Sequence, residues 1–341
     1  MSQKQLVCVI TNVDSLVGYA VACRLLEGRE ELQNAQVRCL CRRREKLEDI
    51  ERLGGEIMEV DYQDQNKLRH AMKQARCVFL IPEHSSQRVQ EAQNVIKAAK
   101  QENVEHMAMK SWIGIDHIKE QNNQQFKCMS EYRKIEEMVR QEFGDQKHCI
   151  SRLPLLNQLF YLMTPLAEKQ QALCMPIKQE SKWGSIDLRD MIDAIFNIFR
   201  EQYGKQVFVS QKQVYCFTPQ KNWKGEQVAR SMALALEKSP EQFKYKHISN
   251  QEWKQYMHER HDDQRFKDRP DAEQGTEKPY TMPISRYFND DLIQELLEWF
   301  QLASEGHADI STKDLQEILQ HKPRDIEEYF KNNRDQFHRF R

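Results

Sequence analysis

The sequence predicts an α/β protein: a doubly wound, parallel sheet in the first half, followed by a smaller mixed α/β and helical part. Three observations predict it. Short apolar runs alternate with helix-spaced segments from residue 6 to residue 154. The early apolar runs show no polar/apolar alternation, as expected of strands covered on both faces. At 341 residues the chain is long enough for one large or two modest domains with a buried core.

The elements follow in order. LVCVI (6–10) is the first strand and ends at Thr11, and SLVGYAVACRLL (15–26) carries apolar residues at helical spacing. VRCLC (37–41) is the second strand, followed by a charged helix, REKLEDIERLG. EIMEV (56–60) leads to Asp61, and NKLRHAMKQA is the next helix. CVFLI (77–81) ends at Pro82 and precedes a long amphipathic helix, while HMAMKS (106–111) is a buried fifth strand. A helix over 126–142 and a sixth strand, HCISRLP (148–154), complete the first part. Residues 1–155 are therefore expected to form the sheet domain, and 156–341 the smaller part, partly interleaved with it. Beyond 155 the pattern is mixed: a strand turning into a helix over 184–201, strands at QVFVS and VYCFT, a helix from NWKGEQ, the strand KYKHIS, and a packing helix over 285–302. The polar stretch 251–279 reads as a solvated helix end and loop.

Composition narrows the function. The 51 basic and 52 acidic residues nearly cancel, which leaves no electrostatic footprint for nucleic acid or an anionic membrane. No apolar run approaches a membrane span, and the start of the chain lacks a secretory leader, so a soluble protein of the cytoplasm or nucleus is expected. The nine cysteines have no CxxC pair and read as reduced thiols, with Cys39 and Cys41 on one face of a strand. His258 and His261 share a helix face but have no obvious third metal ligand, so a solvated charged face is expected and no metal.

The first strand-to-helix turn is where such a sheet holds a pyrophosphate, on the N-terminus of a helix. The turn reads Thr11-Asn12-Val13-Asp14-Ser15-Leu16-Val17-Gly18. It resembles the G-x-x-G-x-x-G loop of the NmrA-like family, an atypical branch of the short-chain dehydrogenases/reductases with a Rossmann-type sheet. Asn12 and Ser15 stand in place of the first two glycines, and Gly18 keeps the third. Asn tolerates the left-handed conformation, and Ser is small enough to offer a hydroxyl to a phosphate. Asp14 brings an adverse charge. A turn that has become purely structural is the competing reading.

The resemblance extends along the chain. NVIKAAKQENVEHMAMKSWIGID (94–116), SRLP (151–154), SIDLRDMIDAI (185–195) and HKPRDIEEYFKNN (321–333) each resemble segments of the family in order. A dinucleotide is the cofactor this implies. After the second strand an acidic residue would accept the ribose hydroxyls of NAD, but the chain carries Arg42, Arg43 and Arg44 there, suited by charge and shape to a 2′-phosphate. NADP(H) is therefore the expected cofactor, with Arg42 at the family's arginine position. The resemblance also implies Asp61 and Tyr62 near the adenine, and the backbone of Ile81 and Pro82 along the nicotinamide ribose.

Turnover is a separate question. Reductases of this fold commonly use Tyr-x-x-x-Lys, but four residues after Tyr132 stands Glu136. NmrA-like members often carry a lysine four residues before a glutamate, which Lys127 and Glu131 match, and this spacing places both on one helix face. Tyr132 needs a neighbouring cation to serve as an acid. No G-x-S-x-G, P-loop or HExxH motif competes. Three readings follow: a non-catalytic NADP(H) sensor acting on a protein partner, an NADPH-dependent reductase of a small carbonyl or aromatic substrate through Lys127 or Tyr132, and a cofactor-free scaffold within an assembly.

Overall fold

The computed structural model describes residues 6–205, 211–261, 263–266 and 289–340. They divide into two compact units. The first comprises Met1–Trp112, Ser130–Leu153 and Ile192–Cys216, and the second Ile113–Met129, Pro154–Met191 and Phe217–Arg341.

The first unit holds the sheet. Its strands are β1 (Val7–Ile10), β2 (Gln36–Cys41), β3 (Glu56–Glu59), β4 (Ala75–Leu80), β5 (His106–Trp112) and β6 (His148–Leu153). Helices α1 (Leu16–Glu27), α2 (Glu48–Arg52), α3 (Gln65–Met72) and α4 (Arg88–Gln101) follow the first four strands in turn, and α5 (Lys127–Phe143) precedes β6. Every residue of β1, β5 and β6 is buried, the property that removed alternation from their sequences. The pairings are all parallel, and β1 lies between β4 and β2, where the direction of winding reverses.

Two differences from expectation have physical causes. The charged segment after β2 forms only the five-residue α2, because Lys46 adopts a left-handed φ of 60° before it and Gly54 one of 89° after it. The sheet also has a seventh strand, supplied by a distant segment that pairs parallel with β6.

Besides Ile113–Met129, the second unit takes up the chain after β6. Its elements are β7 (Leu155–Leu156), α6 (Leu159–Gln170), β8 (Ala172–Met175), β9 (Lys182–Trp183) and β10 (Ser185–Ile186). Helix α7 (Leu188–Lys205) then returns the chain to the first unit, where β11 (Val214–Cys216) is that seventh strand. The second unit resumes with β12 (Trp223–Lys224), α8 (Gly225–Ala235), β13 (Lys244–His247), α9 (Asn250–His261), α10 (Asp290–Ser304), α11 (Asp314–Leu319), α12 (Ile326–Asn332) and α13 (Arg334–Arg339). Its strands pair as β7 with β10 and β8 with β13, both parallel, and β9 with β12, antiparallel. Tyr161, Tyr329, Phe330 and Phe337 form an aromatic core with ring centroids 4.9–6.2 Å apart. The expected strand QVFVS (206–210) and the start of the 285–302 helix lie outside the described residues. Among the described residues, no helix is long and apolar enough to cross a membrane, no group of side chains is arranged for a metal, and the cysteines are free thiols.

Candidate functional site

The turn between β1 and α1 is built by backbone demands that the sequence meets with side chains. Thr11 donates its hydroxyl to Ile81 O (3.1 Å) and accepts from Ile81 N–H (2.8 Å), which locks the end of β1 to the chain leaving β4. Asn12 has φ 54°, the left-handed conformation for which the family uses glycine. Its amide donates to Pro82 O (3.1 Å), and its backbone N–H donates to the Tyr62 hydroxyl (2.8 Å). At Gly18 a β-carbon would lie 2.0 Å from Asn12 O, so this glycine is the one the loop cannot exchange.

Ser15 is the N-cap of α1. Its hydroxyl donates to Asn12 O (2.7 Å) and accepts from Gly18 N–H (3.2 Å), so it serves the helix and is not a spare phosphate donor. Leu16 and Val17 occupy the first helical positions and are half-buried, with N–H groups that no helix satisfies internally. Asp14, read as an adverse charge, accepts from the N–H groups of Arg42 (3.1 Å) and Arg43 (3.2 Å) and so ties the loop to the end of β2.

The expected 2′-phosphate ligand is already engaged. The guanidinium of Arg42 donates from Nε to Glu83 (2.8 Å) and from Nη2 to Glu91 (2.5 Å), and it lies 5.6 Å from the Tyr62 ring centroid. Arg42 is 39% exposed, whereas Glu83 and Glu91 are 8% and 5% exposed. One oxygen of each carboxylate has no hydrogen-bond partner among the described residues. Burial and the nearby charge of Asp14 push the Glu83 carboxyl up to about 8, against the pull of Arg42. Burial, then Glu83 and Asp14, likewise push the Tyr62 phenol up. The Arg43 side chain is exposed. Asp61 is exposed and accepts from Gln63 N–H in its own turn (2.9 Å), while Tyr62 is buried beneath the loop.

A dinucleotide therefore fits the α1 end of the site, where a left-handed Asn12, an obligatory Gly18 and the first-turn N–H groups of Leu16 and Val17 are present. At the β2 end, a 2′-phosphate would compete with Glu83 and Glu91 for Arg42. Sequence reading missed these two acids, which lie 41 and 49 residues from Arg42.

On the other side of β4, Tyr132 is fully buried in α5, and Lys127 is exposed at the start of that helix. The Glu131 carboxylate is held by Arg88 of α4 (2.9 Å). The cation near Tyr132 comes from elsewhere: Lys110 of β5, itself buried, sets its ammonium 3.8 Å from the Trp112 ring centroid and 4.8 Å from that of Tyr132. Glu136, at the position of the usual lysine, is a buried partner of Arg152 (2.9 Å) and Arg140 (2.8 Å).

The comparisons agree with this architecture. Residues 17–156 match the profile of a family described as NAD(P)H-binding. No curated protein sequence matches the chain. An NADPH-dependent quinone oxidoreductase of Escherichia coli, complexed with NADPH, is 19% identical with a TM-score of 0.69, over 95% of this chain and 99% of that one. A triphenylmethane reductase of Citrobacter sp., complexed with NADP(H), is 15% identical with a TM-score of 0.69, over 96% and 99%. NmrA, a negative transcriptional regulator in complex with NADP, is 12% identical with a TM-score of 0.66, over 96% and 95%. The chain thus shares the Rossmann-type fold of these proteins, and its segment 17–156 is similar to a family described as NAD(P)H-binding.

Proposed function

We propose that the protein is a non-catalytic NADP(H)-responsive regulator that reports occupancy of its dinucleotide site to a protein partner in the cytoplasm or nucleus. The observation that carries this reading is the closure of Arg42 onto Glu83 and Glu91. A nucleotide phosphate must share the guanidinium with two buried acidic side chains, which lowers affinity and makes occupancy depend on cofactor concentration. That suits a sensor. Leu16 and Val17 would hold the pyrophosphate, with the loop shape set by Thr11, Asn12, Ser15 and Gly18.

A second reading, an NADPH-dependent reductase of a small carbonyl or aromatic substrate, is favoured by one observation. Lys110 supplies beside Tyr132 the cation that a phenolic acid needs. Full burial of Tyr132 weighs against its reaching a substrate in this state.

Calorimetric titration with NADP, NADPH, NAD and NADH, paired with a quinone-reduction assay, separates the readings. Binding without NADPH oxidation is the expected outcome. Sustained oxidation would replace the sensor with the reductase. Absence of binding in the parent and in a Glu83→Gln/Glu91→Gln variant would leave a cofactor-free scaffold. If a dinucleotide binds through Arg42, the Arg42→Ala/Arg43→Ala variant should lose about a tenfold preference for NADP over NAD.

A further inference from the structure

The second unit contains an open pocket of about 470 Å³, a volume within the range of small-molecule sites. Lys182, Lys221 and Lys224 line it, together with Asn222 and Ser311. Its geometry follows from the β9–β12 pair. Trp183 lies opposite Trp223 and Lys182 directly opposite Lys224, so the two lysines share one face of the ribbon. Like charges placed directly across a strand pair oppose each other.

The surroundings relieve only part of this repulsion. Lys224 is the N-cap of α8, a position that favours a small polar or acidic side chain and disfavours a cation. Among the described residues, none of the three ammonium groups has a carboxylate within ion-pair distance. The acids nearby are turned to other donors: Glu226 accepts from Tyr245 N–H (3.2 Å), and Asp309, which also lines the pocket, accepts from the Asn222 amide (2.9 Å). Lys221, which also lines the pocket, extends over the Trp223 ring at 4.2 Å. The Asn222 side chain that frames the pocket also bonds Ile310 O (3.0 Å), and a β-carbon on Gly184 would meet its Oδ1 at 2.5 Å. The frame is fixed, and its three lysines outnumber the one carboxylate, Asp309, that lines it.

We propose that this pocket binds a small phosphorylated anion, with Lys182 and Lys224 as the paired cations and Lys221 closing one side. The site shares no residue with the dinucleotide loop, and it stands whether or not that loop binds a cofactor.

The test is titration of the full chain with inorganic phosphate and with glucose 6-phosphate, at constant ionic strength set by chloride, with glucose as the uncharged control. Both phosphates should saturate, and glucose should not. The Lys182→Gln/Lys224→Gln variant should bind at least about tenfold more weakly. Without an anion, that variant should melt no lower than the parent, because removing facing like charges costs nothing; in the parent, but not in the variant, phosphate should raise the melting temperature. Saturation by glucose 6-phosphate alone would assign the site to a phosphorylated metabolite, and saturation by both would assign it to the phosphate group itself. Lys221→Gln provides an independent weakening should the double variant fold poorly. Equal affinity in the double variant would place the anion elsewhere and overturn the proposal, as would the absence of any saturable signal in the parent.

Discussion

Gly18 is fixed by a single carbonyl oxygen, that of Asn12, which stands where its β-carbon would be. Gly18→Ala must push the loop away from α1, at a cost on the order of 2–4 kcal/mol. Urea denaturation measures it, and an unchanged midpoint would mean that the loop moves freely. Asn12 shows how a residue type discloses a backbone: its tolerance of positive φ is legible in the sequence, and the structure uses it at 54°. The partners of Arg42 were not legible, because nothing local links a residue after β2 to two acids on the far side of β4. Glu83 also sets a pH dependence. Its carboxyl titrates at about 8 in the folded protein and at its ordinary 4.5 when exposed. Between those values the folded chain holds a proton that the unfolded chain lacks, so stability falls as pH rises. Glu83→Gln should flatten that decline when unfolding is followed from about pH 5 to pH 8. An identical slope in the variant would assign the titration to another group.

At the scale of elements, Glu136 explains why Tyr-x-x-x-Lys is absent. The fully buried carboxylate accepts from Nε (3.0 Å) and Nη2 (2.9 Å) of Arg152, and so clamps α5 to β6. Breaking such a pair on one side typically costs about 3–5 kcal/mol. Glu136→Lys, made to recreate the catalytic spacing, should therefore unfold the protein rather than activate it, which circular dichroism and a reductase assay would reveal together. The strands of the first unit were readable because burial on both faces writes unbroken apolar runs. Helix α6 was not, since LFYLM is apolar in succession and Pro165 lies inside it. The short strand expected at the start of 184–201 is β10, whereas the two-residue strands β7, β9 and β12 are too short to carry any period.

At the scale of the whole molecule, a chain cut after residue 155 should not fold as a stable sheet domain. It would lack β11 beside β6, Phe199 against Phe79 (6.0 Å), and Asp193, which pairs with Arg24 (2.6 Å). A fragment of residues 1–155 should aggregate where the full chain remains monodisperse, as light scattering would show. A compact, cooperatively melting fragment would mean that the returning segment is dispensable.

The late arrival of β11 also has a consequence in time. A ribosome releases β6 long before it releases Val214–Cys216, so during synthesis the outermost strand waits with an unpaired row of N–H and C=O groups. At roughly 5–20 residues per second, that wait lasts several seconds, long compared with the microseconds in which a hairpin closes. The nascent chain is thus most vulnerable to pairing with a neighbour in this interval, and slowing translation between residues 154 and 214 should lower the yield of folded protein more than slowing it after β11 has emerged.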